Sequence, residues 1–295
     1  MPPRLAIVVG CTDTKTRRPE PSLMLRAVPS GPDRASVWLG RVSDSSNSVS
    51  LRYLYAGQQW RSSVDLETSA SASYEVSLWI TSAGLGLVSA ETDAPAYSAT
   101  FTPRHPDKVG DSTTERRAWW CSLMQARHDR WGPRSFRQLR ESHDAVMVVL
   151  SGAYLDVVRD ELTSFDDACV VLTSVGLETE VAQANTSGLR SHFGGSYLQV
   201  NQRAAAAYLS VAGRRRLGSP EVTADWESWA APRRRSEQRN RLPLADAEIL
   251  RWIQSQATAD RASASTLLRR LRDAGLACEQ ARFGRLYRAA LDECA

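Results

Sequence analysis

The chain has almost no lysine. Lys15 and Lys108 are the two lysines among 37 Lys+Arg residues. An ammonium that survives in so arginine-biased a sequence points to a task that a guanidinium fills poorly, such as nucleophile, acid or compact phosphate clamp. The five cysteines, Cys11, Cys121, Cys169, Cys278 and Cys294, include no C-x-x-C pair, which argues against a disulfide framework or a zinc-ligand pattern and fits a reducing cytoplasm. The four histidines, His105, His128, His143 and His192, show no ligand spacing, so no metal and no cofactor are expected. There is no N-terminal apolar leader and no apolar run near the length of a membrane span. Neither secretion nor membrane insertion is expected.

What is present is ample apolar sequence over 295 residues, enough for one large domain and a small appendage. Short β-branched runs at Leu5 to Val9, Val76 to Thr81, Val146 to Leu150 and Cys169 to Thr173 alternate with helical periodicity. That alternation predicts a doubly wound α/β domain with a mostly parallel sheet. Thr113 to Arg127 reads as an amphipathic helix, with Trp119, Trp120, Leu123 and Met124 inward and Arg116 and Arg117 toward solvent. An alanine-rich helix is expected from Tyr197 to Val211, so the first domain runs over 1–213. Residues 214–241 read as a basic linker broken by Pro220 and Pro232, and residues 242–295 as a small helical domain.

Lys15 follows the first strand, in Gly10-Cys11-Thr12-Asp13-Thr14-Lys15. Turns after parallel strands build the ligand crevice of an open α/β sheet. The second strand leads into Ser82-Ala83-Gly84-Leu85-Gly86-Leu87 and a loop with Glu91, Asp93 and Tyr97. The third continues into Ser151-Gly152-Ala153-Tyr154, where glycine permits a sharp turn into a helix whose N-terminus can take an anion. On this reading Lys15, Glu91 and Asp93 face one crevice.

The net charge is only +4, yet the basic residues crowd the C-terminal third. Arg214 to Arg216, Arg233, Arg234 and Arg235, then Arg239 and Arg241 precede a segment with helix, glycine turn, helix grammar around Gly275. Ser263 or Ser265 is a candidate cap. In the last helix Phe283, Leu286, Tyr287 and Leu291 are expected inward. Gln280, Arg282, Arg285 and Arg288 then form an outward face suited to a DNA groove.

The order Gly10-Cys11-x-x-x-Lys15, Leu54-Tyr55-x-Gly57, Ser82-Ala83-Gly84-Leu85-Gly86-Leu87, Tyr97, Glu115-Arg116-Arg117-Ala118-Trp119 and Gly152-x-Tyr154 resembles bacterial domains of the uracil-DNA-glycosylase-like superfamily. The same order is similar to the domain attached to archaeosine-synthesis enzymes. The resemblance spans about residues 5 to 211 and implies a three-layer α/β/α sandwich that binds a base or nucleoside. The helical tail around Gly275 resembles one seen on related bacterial proteins. The water-activating Asp-Pro-Tyr and the His-Pro-Ser motifs of uracil-DNA glycosylases are absent. Asp13 is the nearest counterpart of the first by position and His192 a loose one of the second. A bulky modified base therefore suits the chain better than uracil, and one member of the wider group resembles an anti-phage glycosylase acting on glucosylated hydroxymethylcytosine.

The expected function is thus a DNA N-glycosylase, a hydrolase excising a modified base to leave an abasic site, with DNA, modified phage DNA included, as partner. N-glycosidic cleavage needs a carboxylate for the oxocarbenium-like sugar or its water, a donor for the departing base and an aromatic to hold it. Asp13, Glu91 and Asp93 are candidate carboxylates, and Lys15 a donor, phosphate clamp or lyase-type amine. Cys11, Thr12, Gly84, Tyr97, Ser151, Gly152, Tyr154 and His192 are candidates for the base. Arg233, Arg234, Arg235, Gln280, Arg282 and Arg285 are candidates for the DNA backbone. The alternative is a non-catalytic DNA-binding stress-response protein with a nucleoside-binding pocket. A hydrolase or transferase of free nucleosides leaves the arginine-rich tail without a task.

Overall fold

A computed structural model describes residues 1–127, 131–163, 165–235, 242–257 and 262–292. The chain forms two compact units, Met1–Arg235 and Ser236–Ala295. In the first, five parallel strands and one antiparallel edge strand make a mixed α/β sheet. They are β1 (Arg4–Gly10), β3 (Glu75–Ser82), β4 (Gly86–Ser89), β6 (Ala145–Val149), β7 (Cys169–Thr173) and β8 (Gln183–Asn185), in the order β4-β3-β1-β6-β7-β8. A small antiparallel pair, β2 (Ser48–Ser50) and β5 (Asp93–Pro95), stands apart. β6 and β7 are buried at every residue, the signature of parallel strands covered on both faces.

The helices are α1 (Arg34–Asp44), α2 (Leu51–Leu54), α3 (Gly57–Ala70), α4 (Thr113–Ala126), α5 (Phe136–Glu141), α6 (Gly152–Leu162), α7 (Arg190–Phe193), α8 (Tyr197–Ala212) and α9 (Pro220–Ala230). α3 packs with α8 and α8 with α9, whereas α4 packs with α1 and α6. After β1 the chain crosses over to β3, and after β6 it crosses the other way to β7. Right-handed crossovers in opposite directions place α3 and α6 on opposite faces, whereas α1, also between β1 and β3, packs on α4 as α6 does. The crossovers also fix a switch point between the carboxyl ends of β1 and β6, where an open sheet holds its ligand. The register makes those ends level, since Gly10 pairs with Thr81, Val9 with Val149 and Val149 with Leu172.

Three expectations change. Residues 214–235 belong to the first unit rather than to a linker. Leu217 and Trp226 are buried, Gly218 donates its amide to Asp167, and α9 rests on α8. Pro220 starts this helix instead of breaking it: it occupies the first turn behind Ser219, whose hydroxyl accepts the Val222 amide, a position where proline loses no hydrogen bond. Arg116 is buried, donating to the Asp111 carbonyl and the Thr113 hydroxyl. Gly152 has no left-handed φ, so its turn does not depend on glycine. Arg239 and Arg241 lie outside the described residues.

In the second unit α10 (Asp246–Ala257), α11 (Ala264–Asp273) and α12 (Gln280–Asp292) close around Ile249, Ile253, Leu267, Leu271 and Phe283. Ser263 caps α11 by accepting the Thr266 amide. Gly275, at φ 78°, turns the chain into α12, and β9 (Leu242–Pro243) pairs in parallel with β10 (Leu276–Ala277).

Candidate functional site

The carboxyl edge at β1 carries a polar loop pinned from beneath. The Thr12 hydroxyl donates to the Thr14 carbonyl at 3.0 Å, Lys15 bridges to Tyr55, and the Ala56 amide donates to the Thr14 carbonyl. This folding back brings the Lys15 ammonium over two aromatic faces, 4.7 Å from the Tyr97 ring centre and 5.6 Å from that of Tyr55. Its Nζ donates to the carbonyls of Thr12 at 3.2 Å and Asp13 at 3.4 Å. Burial lowers its pKa from the ordinary lysine value, against the opposing pull of Cys11, Asp13 and Asp107. Lys15 is therefore a desolvated amine held by π faces and carbonyl dipoles, with no ion pair to a carboxylate among the described residues.

Under it lies a chain of hydroxyls. The Ser82 hydroxyl accepts the amides of Gly84 and Leu85, both at 3.1 Å, and meets the Tyr97 hydroxyl at 2.6 Å. With both lone pairs taken, Ser82 has its own hydrogen to give to Tyr97. Tyr97 in turn bonds Tyr55. Burial raises the pKa of both phenols, so they are neutral donors at physiological pH. Gly84 is where Tyr97 presses against the backbone. A Cβ there would stand 2.6 Å from the ring, and indole N–H groups of Trp38 and Trp119 hold the carbonyls of Gly84 and Ala83, each at 2.7 Å.

Across the switch point the Tyr154 hydroxyl meets the Cys11 thiol at 3.1 Å. The Tyr154 ring lies against Gly10 and edge-on to Phe101, and burial again raises its pKa. Ser151 caps α6 with its backbone alone, making no side-chain cap bond. The first-turn amides there retain the partial positive charge of a helix N-terminus.

Lys15, Cys11, Thr12, Gly84, Tyr97, Ser151, Gly152 and Tyr154 thus gather at one edge. Glu91 and Asp93 do not join them. The β3–β4 hairpin reverses the chain, pairing Ser82 with Gly86 but Trp79 with Ser89, so Glu91 is carried back toward the amino end of the sheet. There it binds Arg52, which also holds Glu67. Glu91 and Asp93 line a separate cavity of about 570 Å³ with Ser43, Ser48 and Trp131. Tyr97 comes back to the crevice because β5 reverses the chain once more. The remaining candidate, Asp13, is exposed at the mouth with its carboxylate 3.6 Å from His105 Nε2.

Two groups went unread in the sequence. His105 Nδ1 accepts the Asp107 amide at 3.0 Å, so the neutral ring carries its proton on Nε2, facing Asp13. Asp107, buried, accepts from the Ser98 hydroxyl at 2.7 Å and the Arg26 amide at 3.0 Å. Metal-ligand spacing was the wrong test for His105; its signal was an acid, Asp107, two residues on, beside the second lysine.

His192 sits three strands from β1, beyond β8, edge-on to Phe193 and Trp229. The Arg233 guanidinium lies 4.3 Å over Trp229, Arg234 binds Glu227 and the Asn185 carbonyl, and the Arg235 amide donates to the Gly188 carbonyl. In the second unit Gln280 and Arg285 are exposed. Arg282 is not outward: it bonds Asp246 at the start of α10 and the Leu244 carbonyl just before it. The Leu291 side chain, His128 and Cys294 lie outside the described residues. Among the described residues no helix is long and apolar enough to cross a membrane. Comparisons with protein-family models, curated proteins and solved structures gave no match.

Proposed function

We propose that the chain excises a modified base from DNA by hydrolysing its N-glycosidic bond, on a three-layer α/β/α scaffold of the uracil-DNA-glycosylase-like kind. The observation that carries this reading is the desolvated Lys15 ammonium, held over Tyr97 and Tyr55 beside the Cys11–Tyr154 contact. A flipped base stacking on Tyr97 displaces that ammonium. Lys15 then donates to the departing base or clamps the flanking phosphate, and its lowered pKa also admits attack on the sugar carbon as a free amine. Asp13, oriented by His105, is the carboxylate in reach of the sugar or its water, and the uncapped start of α6 receives a phosphate. The helical second unit adds non-specific attraction through groups such as Arg285. The setting this chemistry suits is defence against modified phage genomes in the cytoplasm.

A second reading, a nucleoside-binding pocket without chemistry, draws on the tyrosine hydroxyls being committed to one another and to Ser82. The test incubates the protein with unmodified and phage-modified DNA, measuring released base by mass spectrometry and alkali-labile abasic sites. Release from modified DNA alone is expected. No release from either, with nucleoside binding retained, leaves the second reading.

A further inference from the structure

The ladder of rings beyond β8 has an unusual construction. Trp226, fully buried, stacks on Trp229 at 5.0 Å and 17°. Phe193 stacks on Trp229 at 6.0 Å and 24°, and the exposed His192 ring stands edge-on to both Phe193 and Trp229. The Arg233 guanidinium covers Trp229 and is fastened by donating to the Trp229 carbonyl at 2.6 Å. Two flat groups are thus held against the same indole, the imidazole edge-on and the guanidinium over its face. A plane held in place by protein contacts, as the imidazole is at its edge and the guanidinium over the indole face, offers an exposed face to a base in an orientation fixed before binding.

The surroundings are cationic. No Asp or Glu occurs from Asn185 to Ser196 or from Ser228 to Arg235. The neighbouring Glu227 is engaged by Arg234. Arg203 donates to the Phe193 carbonyl at 2.6 Å and Arg190 to the Gly195 carbonyl at 3.3 Å, holding the loop that presents His192. Asn201 ties this loop to the switch point, accepting from Thr186 at 2.6 Å and donating to the Leu150 carbonyl at 3.0 Å.

We propose that His192 and Arg233, both held against Trp229, form a stacking platform for the bases of single-stranded DNA that runs along the carboxyl edge of the sheet. Charge supplies the attraction and the braced planes supply the preference for unpaired bases, since a duplex keeps its base faces covered. Three strand spacings of about 4.8 Å separate β8 from β1. A strand rising about 3.4 Å per nucleotide covers them in about four nucleotides. That a base then reaches Lys15 rests on the proposed function; binding at the platform does not.

The experiment measures fluorescence anisotropy of a labelled twelve-nucleotide oligothymidylate and of a mixed-sequence twelve-base-pair duplex, using the full chain across a salt series. His192→Ala and Arg233→Lys are compared with the parent, the second variant keeping the charge while losing the plane. Each should weaken single-strand binding about tenfold and leave duplex binding within twofold. Thermal unfolding checks that both variants are folded. Unchanged single-strand affinity in folded variants overturns the platform, as does an equal loss on both DNAs, which marks plain electrostatics. Normal single-strand binding by a parent protein that releases no base from any DNA fails the chemistry and leaves the platform standing.

Discussion

Replacing Gly84 with alanine puts the packing beneath Lys15 to a direct test. The new Cβ would stand 2.6 and 2.8 Å from two Tyr97 ring atoms and 3.3 Å from Trp38. Ordinary contact begins at 3.4 Å, so something must yield by the better part of an ångström. The backbone is held by Trp38 and Trp119, and Tyr97 is completely buried with its hydroxyl bonded to Ser82 and Tyr55. Overpacking of this kind costs about 1–3 kcal/mol, and a strained or broken buried hydroxyl bond adds about 1 kcal/mol or more. The reduced freedom of the unfolded chain returns about 0.4–1 kcal/mol. The net expectation is a loss of about 2–3 kcal/mol, read by urea unfolding of the full chain. Gly40→Ala is the control: exposed on α1, with nothing within 4 Å of its Cβ, it should stabilise by about 0.5–1 kcal/mol. Adding Tyr97→Leu should shrink most of the Gly84→Ala penalty, because neighbours that clash are non-additive. A Gly84→Ala protein as stable as the parent, or a penalty that survives Tyr97→Leu, refutes the account.

Because the chain has two lysines, ¹³C reductive methylation gives a readable NMR titration. The Lys15 resonance should titrate below the ordinary lysine value, owing to burial, and a titration at that value removes the desolvated amine. Between the lowered folded pKa and the unfolded one the unfolded chain binds the extra proton, so this group makes stability rise with pH across that window; Lys15→Met should flatten the rise in a denaturation series. Lys15→Arg should abolish base release although charge is kept, and equal turnover by the two would end its chemical role. Asp13→Asn should lose base release while Glu91→Gln retains it and forfeits under about 1 kcal/mol of an exposed ion pair; the reverse pattern in the same mass-spectrometric assay overturns the choice of carboxylate. Arg285→Glu should lower the log–log salt slope of DNA binding by about 0.9 for each lost phosphate contact and keep the fold. Arg282→Glu, facing Asp246, should destabilise the second unit by about 1–2 kcal/mol, visible in thermal unfolding.

The parallel strands were legible because burial on both faces leaves continuous apolar runs: Cys169–Thr173 coincides with its expectation and the other three agree within a residue or so. β4 and β8 escaped, the first hidden in a glycine-rich turn and the second three residues long with polar ends. Missing β4 had a consequence for the site. Without the hairpin Glu91 and Asp93 read as continuing from a parallel strand, and only the antiparallel pairing of Trp79 with Ser89 carries them away. α9 was unread because proline is both a breaker and a helix starter, and the distinction rests on the serine before it. The arginine runs were legible as charge but not as structure. Whether a guanidinium faces solvent, as Arg285 does, or closes on a carboxylate, as Arg282 does, depends on α10, distant in sequence.

The Cys11–Tyr154 contact also gives the crevice its own clock. Cys11 is 8 % exposed, and a reagent large enough to mark its sulfur must wait until the phenol swings aside. Cys121, exposed on α4, reports the unhindered rate within the same molecule. The ratio of the two labelling rates therefore follows how often the Tyr154 phenol leaves the Cys11 thiol at the switch point, before any substrate is known.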